Sequence, residues 1–312
     1  MRHRSFASAR RRVTTLGTAL LLAATAALAG CGKPGGVDGS IADDWVAVSA
    51  PTGFTPKAGT CHLASYVKMV TRDGYEQIDC ALQHRTETVY VGTYPKAAAE
   101  APAPPAAGSA GAREAYRQCD LKTTAYVGAP WRLGRLWIGV THPTAAAWTG
   151  GARWYRCEVV EVASIEDDGD LVMREGSLRN ALKEADSPLR LTCYAIRMDA
   201  EGAITTMPVA RCGTKHNAEF VGIWYAGDLA YPKQDAQWRR FHTGCRKLIA
   251  SYVGVPVDAD LEFRAGVVSL PGGEDVWAQG DRAVRCYLWL DSASLTSSLK
   301  GKGPGALPVQ YE

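Results

Sequence analysis

The sequence predicts an α+β fold built as two tandem repeats, each a small antiparallel sheet with one packed helix, stapled by disulfides. Three observations predict it. Eight of the nine cysteines fall into two sets of four with related spacing. Each set encloses one stretch of helical apolar period, and other patterned stretches alternate as strands do.

The cysteine sets are Cys61, Cys80, Cys119, Cys157 and Cys193, Cys212, Cys245, Cys286. The first gap is 19 residues in both, and the later gaps are 39 and 38 against 33 and 41. Neighbouring residues match as well. Cys80-Ala-Leu-Gln-His84-Arg-Thr-Glu87 answers to Cys212-Gly-Thr-Lys-His216-Asn-Ala-Glu219, Val91-Gly92 to Val221-Gly222, and Tyr94-Pro95-Lys96 to Tyr231-Pro232-Lys233. Tyr126-Val127-Gly128 and Tyr252-Val253-Gly254 begin seven residues past the third cysteine, and Trp148 and Trp277 lie nine before the fourth. Ser177-Leu178-Arg179 and Ser298-Leu299-Lys300 close the two units. The period exceeds that of a solenoid, so each copy is expected to have its own core, over 57–180 and 187–300, followed by a tail at 301–312.

Elements follow in order. Asp73-Gly74 and Glu201-Gly202 sit near the middle of the 19-residue gaps, where a hairpin would turn. Lys96 to Gly111 is Ala/Pro-rich and reads as a disordered loop. Ala112, Ala115, Cys119, Thr123 and Tyr126 mark a helix, as Trp238, Phe241, Cys245, Leu248, Ile249 and Tyr252 do more strongly. Gly128 and Gly254 supply the left-handed residue that ends each. Glu166 to Glu175 is acidic and glycine-broken, a solvated turn whose spacing does not fit a calcium loop. Leu189, Leu191, Cys193 and Ala195 alternate as a strand, and so do Val284, Cys286, Leu288 and Leu290.

Four cysteines allow three connectivities per unit. Cysteines at the open end of a hairpin favour Cys61–Cys80 and Cys193–Cys212. The others, Cys119–Cys157 and Cys245–Cys286, would then join the core face of the helix to the inward face of the last strand.

The N-terminus reads as an export signal. Arg2, Arg4, Arg10, Arg11 and Arg12 precede an apolar run from Val13 to Leu28, too short for a membrane span. It ends in Leu28-Ala29-Gly30-Cys31, which resembles a bacterial lipobox, so 1–30 is expected to be removed and Cys31 to carry lipid. Residues 31–56 then form a tether between membrane and folded part. Without the signal the chain holds 30 basic and 32 acidic residues, a balance with no overall footprint for nucleic acid or anionic lipid. Eight further cysteines in an exported chain point to disulfides.

At Cys-x3-His-x2-Glu, then Val-Gly, then a helical Cys-x6-Tyr-Val-Gly, the chain resembles the septum-formation domain family of actinobacterial envelope proteins. Gly59-Thr60-Cys61, Pro143-Thr144 and Gly280-Asp281-Arg282 echo other parts of that family's pattern. A proline that the family places before the histidine is replaced by Gln83 and Lys215. The resemblance implies a place in the cell envelope and a link to the division septum, with no known catalytic residues.

Chemistry centres on the repeated cysteine and histidine. A thiol nucleophile with a histidine base needs a free thiolate, which paired cysteines cannot supply. Zinc on Cys80 and His84, or on Cys212 and His216, would have two of its four ligands. The simpler expectation puts each histidine in a turn with one ring nitrogen bonded to backbone. Trp148, Trp154, Tyr155 and Trp277 could line a glycan surface but read as core. The sequence therefore predicts a lipid-anchored, extracytoplasmic and non-enzymatic module at the outer face of the cell membrane. It is expected to need no cofactor and to bind a protein or cell-wall polymer; the alternative is an envelope enzyme or zinc site.

Overall fold

The computed structural model describes residues 54–65, 72–166, 170–291 and 293–310. Cys31 and the 1–30 segment lie outside the described residues. Residues 53–312 gather into one compact unit. Among the described residues no helix is long and apolar enough to cross a membrane.

The first half contains strands β1 (Thr60–His62), β2 (Thr86–Thr93), β3 (Leu136–Thr141) and β4 (Trp154–Glu161), in the antiparallel order β1-β2-β4-β3. Helix α1 (Ala110–Val127) packs on one face. Ser109 caps it by accepting from the Ala112 amide, and Gly128 ends it at φ 87°. Cys119 on the helix and Cys157 on β4 are fully buried and bonded, surrounded by Tyr116, Trp131, Leu136, Trp148 and Val159.

The second half has β5 (Cys193–Tyr194), β6 (Arg197–Met198), β7 (Ile204–Thr206), β8 (Val209–Ala210), β9 (Ala218–Tyr225), β10 (Gly266–Pro271) and β11 (Ala283–Trp289). Its main sheet runs β10-β11-β9-β5-β8, and β6 and β7 form a separate hairpin. Helix α2 (Asp235–Val253) lies on this sheet through Phe241, Cys245, Ile249 and Val253, and Gly254 ends it at φ 87°. The order β5-β9-β11-β10 repeats that of the first sheet. A register shift falls beside Val89 in one sheet and Val221 in the other, so Cys157 faces Tyr90 as Cys286 faces Gly222.

The disulfides are Cys61–Cys80, Cys119–Cys157, Cys193–Cys212 and Cys245–Cys286, the pairs favoured by the spacing. None crosses between the halves. The halves still share an interior. Val160, Val162 and Ile165 pack with Leu191, Tyr194, Met207 and Tyr287, while Leu189 joins the first core. The two halves thus share apolar packing on the side away from the helices, and Val276 of the second half also packs against the first core.

Other expectations are corrected. Within 96–111, read as disordered, Lys96–Ala99 is a short helix. The Trp148 indole donates to the Ala101 carbonyl and Arg153 to that of Ala99, so the segment is fastened from below. Asp73-Gly74 falls in a 3₁₀ turn rather than a hairpin, whereas Glu201-Gly202 does turn the β6–β7 hairpin. In the tail, Leu307 is buried and its carbonyl accepts from Arg264. Val91-Gly92 and Val221-Gly222 are not structural equivalents. The Tyr155 ring lies 2.2 Å from where a Cβ on Gly92 would sit. In the second sheet Trp224 occupies the place of Gly92 and instead presses on Gly244 of α2.

The faces away from the helices differ. In the first sheet His62, Thr88, Arg156 and Glu158 are all buried. Arg156 donates to Thr88 and the Gly74 carbonyl and pairs with Glu158 at 2.5 Å; His62 Nδ1 meets the Glu76 carbonyl at 2.8 Å. Burial lowers the His62 pKa from 6.5 to about 4; the Glu76 carbonyl opposes this and the Arg156 charge adds to it.

Two outcomes follow. Removing Cys119 and Cys157 together frees a 38-residue loop, and equilibrium denaturation should record a loss of about 4 kcal/mol. For His62 the folded-state pKa lies below the unfolded one, so the unfolded chain takes up the proton first. Its contribution is complete above pH 6.5 and is lost as pH falls toward about 4. Urea titrations across that window should show a shallower decline in His62→Gln.

Candidate functional site

The repeated Cys-x3-His-x2-Glu segment builds the same buried cluster in each half. Glu87 lies on β2 directly opposite Cys61 of β1, and Glu219 on β9 directly opposite Cys193 of β5. Both carboxylates are fully buried. The histidines stand three residues earlier, where the chain enters the strand. His84 exchanges two backbone hydrogen bonds with Arg174, and His216 with Leu295.

Each carboxylate gathers donors from distant segments. Glu87 Oε1 accepts from the Leu178 amide at 2.6 Å, and Oε2 accepts from Tyr126 at 2.8 Å and Ser177 at 2.9 Å. Glu219 Oε1 accepts from the Leu299 amide at 2.9 Å, and Oε2 from Tyr252 and Ser298, both at 2.7 Å. Burial raises the pKa of both tyrosines, which keeps them as donors.

The histidines complete the set. His84 Nδ1 donates to the Leu82 carbonyl at 2.8 Å and its Nε2 meets Glu87 Oε1 at 3.0 Å. His216 Nδ1 donates to the Thr214 carbonyl at 2.7 Å and its Nε2 meets Glu219 Oε1 at 3.3 Å. A carbonyl only accepts, so Nδ1 carries a proton in both, and one proton lies between each Nε2 and its carboxylate.

The Cys61 sulfur, His84 and Glu87 lie within 4.8 Å of one another, as do Cys193, His216 and Glu219. That resembles a metal triad, but the donor atoms are engaged. The cysteine brought to each histidine is the first of its set, not the neighbouring Cys80 or Cys212, and all four sulfurs are in disulfides. Both nitrogens of each ring are hydrogen-bonded, and the imidazoles and carboxylates are buried. The arrangement ties strand, helix and closing segment to one carboxylate. Trp148, Trp154, Tyr155 and Trp277 are buried, so they form no glycan-binding surface.

Between the halves lies a second network that sequence reasoning missed. Asp281 accepts from Tyr116 at 2.8 Å and pairs with Arg132 at 2.9 Å; Arg132 also pairs with Asp120. Arg285, fully buried between Trp131 and Trp137, donates to the carbonyls of Arg132 and Leu136. Burial opposes the Arg132 charge, yet Asp281 and Asp120 hold its pKa above the ordinary value. Tyr116 and Asp281 lie 165 residues apart, and no local pattern announces that pairing.

Glu87→Gln would turn an amide donor toward donors that now meet a carboxylate. Denaturation should register a loss of about 3 to 5 kcal/mol, the range for breaking a buried charged pair. Glu219→Gln should behave alike, while Lys96→Gln, a surface control, should change stability by less than about 0.5 kcal/mol.

No curated protein and no solved structure matches the chain. A family profile described as septum formation matches residues 58–286 in one span that runs through both halves. That description points to a role in the envelope or in division. With the match covering most of the sequence, the chain belongs to the septum-formation family.

Proposed function

We propose that this protein is a lipid-anchored, extracytoplasmic module that serves septum formation by binding a protein or cell-wall polymer and catalyses no reaction. The family match carries the process. Engagement of every repeated sulfur, imidazole and carboxylate in structural bonds supports the non-enzymatic reading. Four disulfides suit an oxidising compartment outside the cytoplasm. The Leu28-Ala29-Gly30-Cys31 ending supports acylation at Cys31. Shared strand order, a shared bulge and a shared carboxylate cluster support reading 57–180 and 187–300 as two copies of one unit.

Membrane fractionation tests the anchor: Cys31→Ala should stay unprocessed by lipoprotein signal peptidase and should not enter the detergent phase as the acylated form does. Equal detergent partitioning of mutant and wild type would sink the anchor. Crosslinking in the native envelope tests the binding role, with capture of a septal protein or wall polymer as the expected result.

A further inference from the structure

The exposed side of α2 carries a feature that the helix–sheet framework does not require. Arg239, Arg240 and Lys247 are exposed and Arg246 is half-buried. At 3.6 residues per turn these four cations fall within an arc of about 120° and span about 12 Å of the helix axis. Thr243, also exposed, sits among them, and no acidic residue shares the arc. The acidic residues nearest in sequence, Asp235 and the Asp258–Glu262 group, lie before the stripe and beyond the end of the helix.

Ion pairs quench comparable charges elsewhere. Arg117 pairs with Glu114, Arg132 with Asp120 and Asp281, and Lys233 with Glu274. Among the described residues none of the four α2 cations has an acidic partner, and Arg246 Nε is a buried donor with no acceptor. Aligning α1 on α2 through Cys119 and Cys245 places Arg113, Glu114, Asp120 and Leu121 at the same four positions. There the net charge is −1, one cation against two carboxylates. The stripe therefore belongs to the second half alone, on a chain that beyond residue 30 has 30 basic against 32 acidic residues.

We propose that this stripe is a docking surface for anionic phospholipid headgroups of the membrane to which the chain is tethered. A row of cations on a helix, with exposed Thr243 among them and no large apolar side chain exposed on the arc, suits a charged surface and not an apolar groove. Reach agrees with this occupant. Twenty-one residues lie between Cys31 and Gly53, and a flexible chain of that length spans about 25 Å. Only this statement of reach rests on the anchor proposed above; the charge complementarity does not. Contact through the stripe would add a second, salt-sensitive attachment and set which face of the folded unit points away from the lipid.

The test uses the chain from Gly32 onward, which keeps the whole compact unit and carries no lipid, with phosphatidylglycerol/phosphatidylcholine vesicles in a sedimentation assay. The expected result is binding that grows with the phosphatidylglycerol fraction, is absent on pure phosphatidylcholine and is released at about 0.5 M salt. Arg239→Gln, Arg240→Gln and Lys247→Gln together should weaken partitioning about a hundredfold, at about fivefold per cation. A control variant removes the same charge from another exposed region through Arg197→Gln, Arg211→Gln and Lys215→Gln, and should bind like the parent. Circular dichroism and disulfide mapping confirm that both variants fold. Unchanged binding by the α2 variant, an equal loss in the control, or equal binding to neutral vesicles would overturn the proposal. Failure of the anchor itself would appear separately, in the fractionation of Cys31→Ala.

Discussion

One buried carboxylate organises each half of the molecule. A charge in the interior costs several kcal/mol unless donors surround it. Around Glu87 those donors come from the turn before β2, the end of α1 and the closing segment at 177–178. No single segment can satisfy it, so all must be in place together. The Cys61–Cys80 bond fastens β1, the strand facing Glu87, while Cys119–Cys157 ties helix to sheet. The disulfides restrain pairs of elements; the carboxylate fixes how several of them meet.

From that common frame the halves diverge on the sheet face away from the helix. Where the first sheet has His62, Thr88 and Glu158, the register places Tyr194, Phe220 and Tyr287 in the second. The polar set satisfies itself around Arg156, whereas the aromatic set needs an apolar cover and finds one in Val160, Val162 and Ile165. That difference makes the assembly asymmetric. Asp281, held by Tyr116 and Arg132, then fixes the second half against the first through charge as well as packing.

Much of this was legible in the sequence because it repeats. Both long helices, their glycine ends and the four disulfides follow from offsets measured against the cysteines. The carboxylate cluster was partly visible: Glu87, Tyr126 and Ser177 each had a matching residue in the other half, but without coordinates nothing joined them to one another. The Val-Gly match misled: Val91 follows Glu87 by four residues and Val221 follows Glu219 by two, so the identity aligned positions that the strand register, with its shared bulge, sets two apart. Order in 96–111 was hidden because its fasteners, Trp148 and Arg153, lie far along the chain. The interface around Asp281 was hidden for the same reason, its partners being long-range and unrepeated.

The position of the closing segments bears on how the chain reaches its native state. Glu219 takes half of its donors from Ser298 and Leu299, about eighty residues further along the chain. A chain emerging N-terminus first can close the cluster around Glu87 once residue 178 is available, but it must hold the second half unfinished until residue 299 is free. Synthesis thus separates in time two events that the structure makes alike. Val160, Val162 and Ile165 belong to the half whose cluster can close first, and the apolar face they cover belongs to the sheet that closes later.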